Sequence, residues 1–185
     1  MVGTVHDLAQ FRVEAKYDRA RMAYVTKVLP ALIRRLDHVL TVSESSKRDI
    51  VEFTGTSPER ITVTPLGVDH ERFHPQAKAD VGDTLGRLGI EPPYILYISR
   101  IEHPGKNHAG LIRAFAALVA ESGVPHKLVL AGPDWNRAEE VHELARSSPV
   151  ADRIRFTGPL PGDDLAPLYS GADLFVMPSR YEGFG

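Results

Sequence analysis

The sequence predicts an α/β fold with parallel sheets, and three observations carry that prediction. Short apolar or β-branched runs of strand length recur at residues 39–42 (VLTV), 61–64 (ITVT), 94–98 (YILYI), 127–131 (KLVLA), 154–157 (IRFT) and 174–177 (LFVM). Segments with apolar residues at three- and four-residue spacing stand between most of them. Residues that start and stop helices mark the joints. Strands and helices alternating at this spacing argue for sheets covered on both faces, with ligands beyond the C-terminal ends of the strands.

Residues 17–36 have helical periodicity through Met22, Val25, Leu29, Leu32, Ile33 and Leu36, with Pro30 expected to kink or split the helix. Asp37-His38 ends it before the strand at 39–42. Ser43-Glu44-Ser45-Ser46 is a cluster of N-cap residues opening a helix to about Phe53, which Thr54-Gly55 breaks. Ser57-Pro58-Glu59-Arg60 reads as a turn before the strand at 61–64. Residues 65–69 are a loop. From 73 to 93, Pro75, Gly82, Gly86, Gly89, Pro92 and Pro93 interrupt a mostly polar stretch, in which Leu85 and Leu88 could share one short helix. This region reads as an interdomain connection.

The second block opens with the strand at 94–98. Its helix spans about 107–122, with Leu111, Phe115, Leu118 and Val119 on one face and Gly123 as its stop. The strand at 127–131 ends at Gly132-Pro133. A helix over about 137–146 uses Val141, Leu144 and Ala145. After the strand at 154–157, Pro161-Gly162-Asp163-Asp164 caps a helix bearing Leu165, Leu168 and Tyr169. The last strand, 174–177, ends at Pro178.

The chain of 185 residues has room for one large or two small domains, and its 43% hydrophobic and 25% charged residues are ordinary for a globular protein. A net charge of −2 with no basic block gives no sign of a nucleic-acid partner. Cysteine is absent, which excludes disulfides and thiolate metal sites. No apolar run approaches the roughly 20 residues of a membrane span. The opening MVGTVHDLAQF lacks the pattern of a secretory signal. These features set the expectation of a cytoplasmic protein. The chain opens almost inside a motif and stops straight after a strand, so a fragment truncated at both ends is expected.

Three loops fall at the C-terminal ends of strands in the second block: 99–106, 132–134 and 179–185. The first carries Arg100 and Lys106 between a strand and a helix N-terminus. Backbone N–H groups and the helix dipole favour an anion there, with a planar guanidinium fork and a mobile ammonium to meet it. Solvated loop cations are the alternative. In the third loop, Glu182 can accept from hydroxyl groups. The glycines of Gly183-Phe184-Gly185 let backbone N–H groups approach a ligand. Such a loop suits a polyol, or is a plain glycine-rich turn. His6-Asp7 could hydrogen-bond a substrate or move a proton, or cap a loop. Trp135 is read as covering the sheet edge rather than lining a pocket. The remaining histidines show no metal-ligand spacing. A G-x-G-x-x-G fingerprint is absent after every predicted strand, which counts against a nicotinamide dehydrogenase.

Taken in order, these segments resemble a known family. VHDL (5–8), VSESSKRDIVEF (42–53), ITVTPLGVDHERFHP (61–75), YILYISRIEHPGKNHAGLIRAF (94–115), LVLAGP, RIRFTGPL and LYSGADLFVMPSRYEGFG are similar, piece by piece, to the retaining family 4 glycosyltransferases of GT-B fold. The resemblance implies parts of two Rossmann-like domains with parallel sheets. Residues 1–74 would be the later part of the acceptor-side domain, 75–93 the linker, and 94–185 the first part of the nucleotide-sugar donor domain. It implies transfer of a hexose from a nucleotide-diphosphate sugar, such as GDP-mannose or UDP-glucose, to a glycan, lipid or polysaccharide acceptor with retention. No divalent metal is expected, and peripheral membrane association of the intact protein is an open expectation.

By the same resemblance, Arg100 and Lys106 would hold the donor diphosphate. Glu182 would be the first Glu of an E-x-x-x-x-x-x-x-E motif on the donor sugar, with the N–H groups of Gly183, Phe184 and Gly185 beside it. His6 would sit near the reacting face, Gly132 and residues 157–160 near the base, and Ser43 and Gly67 in the cleft. Leu66 stands where the family commonly has Asn, and Ser99 where Gly is usual; the second Glu would lie past Gly185. The competing readings are an epimerase of the same fold and a non-catalytic fragment that binds a nucleotide sugar or a partner.

Overall fold

A computed structural model of the protein describes residues 1–14 and 16–185. The chain packs as two units: Met1–Gly67 together with Arg180–Gly185, and Val68–Ser179.

The first unit holds a three-stranded parallel sheet in the order β1 (Val2–Thr4), β2 (His38–Thr41), β3 (Ile61–Val63). Its core gathers Leu8, Ile33, Val39, Ile50 and Ile61. The predicted helix over 17–36 is present in three pieces: α1 (Arg19–Ala23), a π turn (Tyr24–Val28) and α2 (Leu29–Arg34). The wide turn lies immediately before Pro30, whose ring leaves no N–H for a regular helical bond and would crowd the preceding turn. Between β2 and β3 runs α3 (Glu44–Thr54), started by the Ser43 side chain, which accepts from Ser46 N–H at 3.0 Å. Gly55 ends α3 at φ 69°.

The second unit holds a four-stranded parallel sheet in the order β6-β5-β4-β7, made of β4 (Tyr94–Ile98), β5 (Lys127–Ala131), β6 (Ile154–Gly158) and β7 (Leu174–Phe175). Alternate residues of β4 and β5 face opposite layers. Ile95, Tyr97, Leu128 and Leu130 pack against α5 (His108–Ser122) and α6 (Ala138–Arg146) through Ile112, Phe115, Val141 and Ala145. Tyr94, Leu96, Val129 and Ala131 pack against α4 (Lys78–Leu88) and α7 (Leu165–Gly171) through Leu85 and Leu168. A parallel sheet buried on both faces explains why these strands read as near-continuous apolar runs.

Two elements go beyond the sequence reading: β1 was not evident in it, and the short helix allowed for Leu85 and Leu88 is longer than expected. β1 is three residues long and contains Gly3, too little for an alternating pattern. The segment 75–93, read as a connection, carries the eleven-residue helix α4. Its exposed Gly82 and Gly86 each weaken a helix by about 1 kcal/mol, but Leu85 and Ile90 are buried against Tyr94, Leu96 and Leu168. Among the described residues no helix is long and apolar enough to cross a membrane.

Candidate active site

The strand order of the second unit reverses at β4. The chain runs outward from β4 through β5 to β6, then returns to place β7 on the other side of β4. In open α/β sheets the crevice for ligands lies beyond the strand ends at such a reversal. Loop 99–107, with Arg100 and Lys106, leaves the sheet at this point, and the segment after β7 flanks it.

The loop is built in from every side. Beyond β4 and β5 the backbones stay laddered: Ser99 N–H donates to Ala131 O at 2.9 Å, Ile101 N–H to Pro133 O at 2.9 Å, Trp135 N–H to Ile101 O at 2.9 Å and His103 N–H to Asn136 O at 3.1 Å. Gly132 makes this close approach feasible. Its φ is 137°, and a Cβ there would lie 2.1 Å from the Ser99 carbonyl oxygen. Its N–H donates to Gly158 O at 3.1 Å, so the two segments expected near the base do meet.

Underneath, His108 is 1% exposed. Its Nδ1 lies 3.2 Å from Glu102 O and its Nε2 3.2 Å from Ser99 Oγ. A carbonyl can only accept, so Nδ1 carries the proton. Burial lowers the His108 pKa to about 4, against the raising effect of the bond to Glu102 and with the charge of Lys106 pushing further down. The imidazole is therefore a neutral strut at pH 7. The Tyr97 hydroxyl donates to Lys106 O at 3.0 Å and lies 2.9 Å from Ser179 Oγ. Asn107, left-handed at φ 56°, opens α5 and donates from Nδ2 to Pro178 O at 3.0 Å. These two contacts join the cationic loop to the segment after β7.

The exposed Arg100 guanidinium lies 3.4 Å from the buried Glu102 carboxylate and 5.2 Å from the centre of the Trp135 ring. Trp135 does not cover the sheet edge as expected; it is 56% exposed and flanks Arg100. Neither Glu102 nor His108 stood out in the sequence. Their only signal is position, one inside and one just after a loop already rich in charge.

His6, Glu182, Gly183, Phe184 and Gly185 belong to the first unit. Val5 N–H donates to Leu40 O at 2.8 Å, carrying the β1–β2 ladder up to His6. Asp7 Oδ1 accepts from Ala9 N–H at 3.0 Å, so Asp7 caps its own turn. The Ser46 hydroxyl lies 2.9 Å from His6 O and 3.1 Å from Gly183 O, and Ser43 Oγ donates to the same Gly183 carbonyl. A Cβ on Gly183 would meet Asp7 Cβ at 2.7 Å and His6 O at 3.0 Å. His6 and the backbone next to Glu182 are thus in direct contact. Glu182 is half-buried, and Phe184 and Gly185 are exposed. The segment is tied down by Tyr181, whose hydroxyl donates to the buried Asp49; Asp49 also accepts from Arg12 at 2.7 Å. Burial, then Asp49, raises the Tyr181 pKa.

The structure thus groups the candidates in two sets: Arg100, Lys106 and Gly132 in the second unit, and His6, Glu182, Gly183, Phe184 and Gly185 in the first. Gly67 has no atom within 4 Å of an added Cβ, while Ser43 is engaged by α3 and by Gly183. Among the described residues no group of three or more His, Cys, Asp or Glu side chains is arranged to hold a metal ion.

Residues 86–185 match the family described as glycosyl transferases group 1. The chain belongs to that family. Residues 1–72 match a second family, glycosyltransferase family 4. Among curated relatives, O-antigen chain mannosyltransferase B of Escherichia coli is 31% identical over 100% of this chain and 48% of its own length. D-inositol 3-phosphate glycosyltransferase 2 of Catenulispora acidiphila is 34% identical over 80% of this chain and 36% of its own. Among solved structures, HepE (Alr3699) of Anabaena in complex with UDP and glucose superposes with a TM-score of 0.77 at 21% identity, covering 100% of this chain and 48% of HepE. Sucrose-phosphate synthase of Thermosynechococcus elongatus gives 0.73 at 24% identity, covering 100% and 45%. The fold is α/β of GT-B type. The chain spans about half the length of O-antigen chain mannosyltransferase B, HepE and sucrose-phosphate synthase.

Proposed function

We propose that the protein is a cytoplasmic glycosyltransferase that moves a hexose from a nucleotide-diphosphate sugar to a glycan, lipid or polysaccharide acceptor, with retention of configuration. The observation that carries this reading is the Arg100–Lys106 loop: two cations on a rigid scaffold at the strand-order reversal, in a group 1 family member. Glycosyl transfer breaks the bond between the anomeric carbon and the phosphate oxygen, and negative charge grows on the departing diphosphate. Cations already fixed where that charge develops lower the barrier without reorganising. Arg100, steadied by Glu102 and Trp135, and Lys106 supply that charge, and the reaction is proposed to need no divalent ion. His6, Glu182 and the N–H groups of Gly183, Phe184 and Gly185 are proposed to contact the donor sugar. The acceptor oxygen bonds the anomeric carbon on the face the diphosphate leaves, and the diphosphate takes the acceptor's proton. Donors of the GDP-mannose and UDP-glucose type fit, in keeping with relatives named as mannosyltransferases and a neighbour solved with UDP and glucose. Peripheral association of the intact protein with a membrane is part of this reading, since lipid-borne acceptors present themselves there.

The test is transfer from labelled nucleotide sugars by the full-length protein, alongside Arg100→Ala and Lys106→Ala. Each variant is expected to lose on the order of 10²–10³ in rate, as for removal of one preorganised donor. Transfer by both variants at the wild-type rate sinks the assignment.

A further inference from the structure

The start of the second unit runs beside helix α7 and leaves a pocket there. Residues 73–76 form one wall and Ala166, Tyr169 and Ser170 the other, around a volume of about 500 Å³. α7 leads into β7, and Asp173 N–H donates to Tyr94 O at 3.1 Å. The pocket therefore lies toward the end of the sheet where β4 and β7 begin, the opposite end from the loop of Arg100 and Lys106.

The two walls are tied together. Gln76 N–H donates to Ser170 Oγ at 3.1 Å, and the Phe73 and Tyr169 rings meet edge to face with centres 6.5 Å apart. Phe73 N–H donates to Asp69 O at 2.8 Å, which closes the turn below. Tyr169 remains 40% exposed.

The lining suits a neutral, hydroxylated ligand. Among the described residues no Asp, Glu, Lys or Arg lines the pocket. Nearby Arg72 is taken up by Asp163 at 3.4 Å. His74 Nδ1 lies 3.0 Å from Pro75 O and its Nε2 3.4 Å from the Gln76 amide nitrogen. A carbonyl only accepts and an amide NH₂ only donates, so one ring nitrogen carries the proton and the imidazole is neutral in this arrangement. Gln76 Nε2 also donates to His74 O at 3.0 Å. Its Oε1 and the Tyr169 hydroxyl have no partner among the described residues, and the Ser170 hydroxyl hydrogen is likewise unused. A sugar ring meets both needs. Its C–H face packs on the negative face of an aromatic ring, and its hydroxyls both donate and accept. Aromatic walls with a few placed polar groups, at this volume, are the usual make-up of a small-ligand pocket.

We propose that the pocket of Phe73, Gln76, Tyr169 and Ser170 holds one sugar unit of a neutral glycan chain, away from the reacting end. The inference rests on the reading of the acceptor as a glycan and adds a second place where that acceptor is gripped.

The experiment titrates the full-length protein with α-linked mannotetraose and with maltotetraose, followed by NMR. Tyr169→Ala removes the platform, Tyr169→Phe removes only its hydroxyl, and Gln76→Leu removes the free amide oxygen. Circular dichroism checks that each keeps its fold. The wild-type protein is expected to bind at least one tetrasaccharide, about tenfold more weakly in Tyr169→Ala and about threefold more weakly in Tyr169→Phe. KM for a tetrasaccharide acceptor should rise in step, while kcat and the KM for a single-sugar acceptor stay put. Binding that falls in the variants of a protein that transfers no sugar keeps the pocket and sinks the transferase reading. Transfer with wild-type binding and KM in all three variants overturns the pocket and leaves that reading standing. A wild-type protein that binds neither tetrasaccharide overturns the pocket as well. Tetranitromethane should nitrate Tyr169, and less so with the sugar bound. A Tyr169 that resists nitration without sugar would show that another part of the full-length chain fills the pocket, and would overturn the glycan.

Discussion

The backbone of Ser99 passes so close to Gly132 that a methyl group on Gly132 would lie 2.1 Å from the Ser99 carbonyl oxygen. The obstacle is backbone on both sides, and the φ of 137° is one that side-chain-bearing residues rarely adopt. Gly132→Ala should therefore force apart the loops that carry Arg100 and Trp135. The expected cost is about 3 kcal/mol, from strain at a sparsely populated conformation plus the clash. Thermal unfolding should show a fall in Tm on the order of 10 °C. An unchanged Tm would mean the loops are not held as described.

His108 makes stability depend on pH. Its folded pKa of about 4 lies below its ordinary value of 6.5, so between these values the unfolded chain binds a proton that the folded chain refuses. The contribution is whole above pH 6.5 and drains away as pH falls toward 4. Its full size is about 3 kcal/mol for a shift of that extent. Tm measured from pH 7 down to pH 4 should fall for the wild-type chain, and fall less steeply for His108→Gln. Equal slopes would show that His108 is not the buried neutral group described.

Most of the fold was legible in the sequence because a parallel sheet buried on both faces writes itself as apolar runs. The strands YILYI and KLVLA are the clearest cases. The short helix allowed for Leu85 and Leu88 was read inside a connection because Gly82 and Gly86 interrupt it, and local propensity does not reveal that Leu85 is buried by α7 and β4. At the candidate site, Arg100, Lys106, Glu182 and Gly132 could be singled out from composition, position and resemblance. Their supports could not. Tyr97 and Ser179 are 82 residues apart, and Tyr181 and Asp49 are 132 apart. Nothing local to either member of such a pair announces the other.

Arg100 owes its position to two neighbours that bear no donor-facing charge of their own. Glu102 draws the guanidinium from a buried site, and the Trp135 ring bounds its other side. Glu102→Gln keeps the shape and removes the charge, and Trp135→Ala removes the wall. Each should weaken nucleotide-diphosphate binding about tenfold, as expected when a charge-assisted contact or a cation–π contact worth 1–2 kcal/mol is lost. Arg100→Lys should lose as much, because an ammonium lacks both the fork and the flat face. Calorimetric titration with UDP and GDP measures this. Full affinity in all three variants would separate Arg100 from the diphosphate.

Tyr181 is the anchor of the segment that carries Glu182. Its hydroxyl donates to Asp49, a carboxylate 3% exposed that is also held by Arg12. Tyr181→Phe removes one donor from a buried charge and leaves the Arg12 contact in place. The stability loss should be about 2 kcal/mol, the usual range for a hydrogen bond to a charged group. Asp49→Asn should cost more, because Arg12 loses its charged partner as well. In a double-mutant cycle the Tyr181–Asp49 coupling should exceed about 1 kcal/mol. The functional consequence is local. With Gly183 O still held by Ser43 and Ser46, the tail stays attached, but residues 181–185 should exchange amide hydrogens faster in Tyr181→Phe than in the wild-type chain. If the tail is what presents Glu182 to a donor sugar, the same variant should bind a nucleotide sugar more weakly while binding the bare nucleotide diphosphate unchanged. Equal loss of both would mean that Tyr181 supports the whole unit rather than the placement of Glu182.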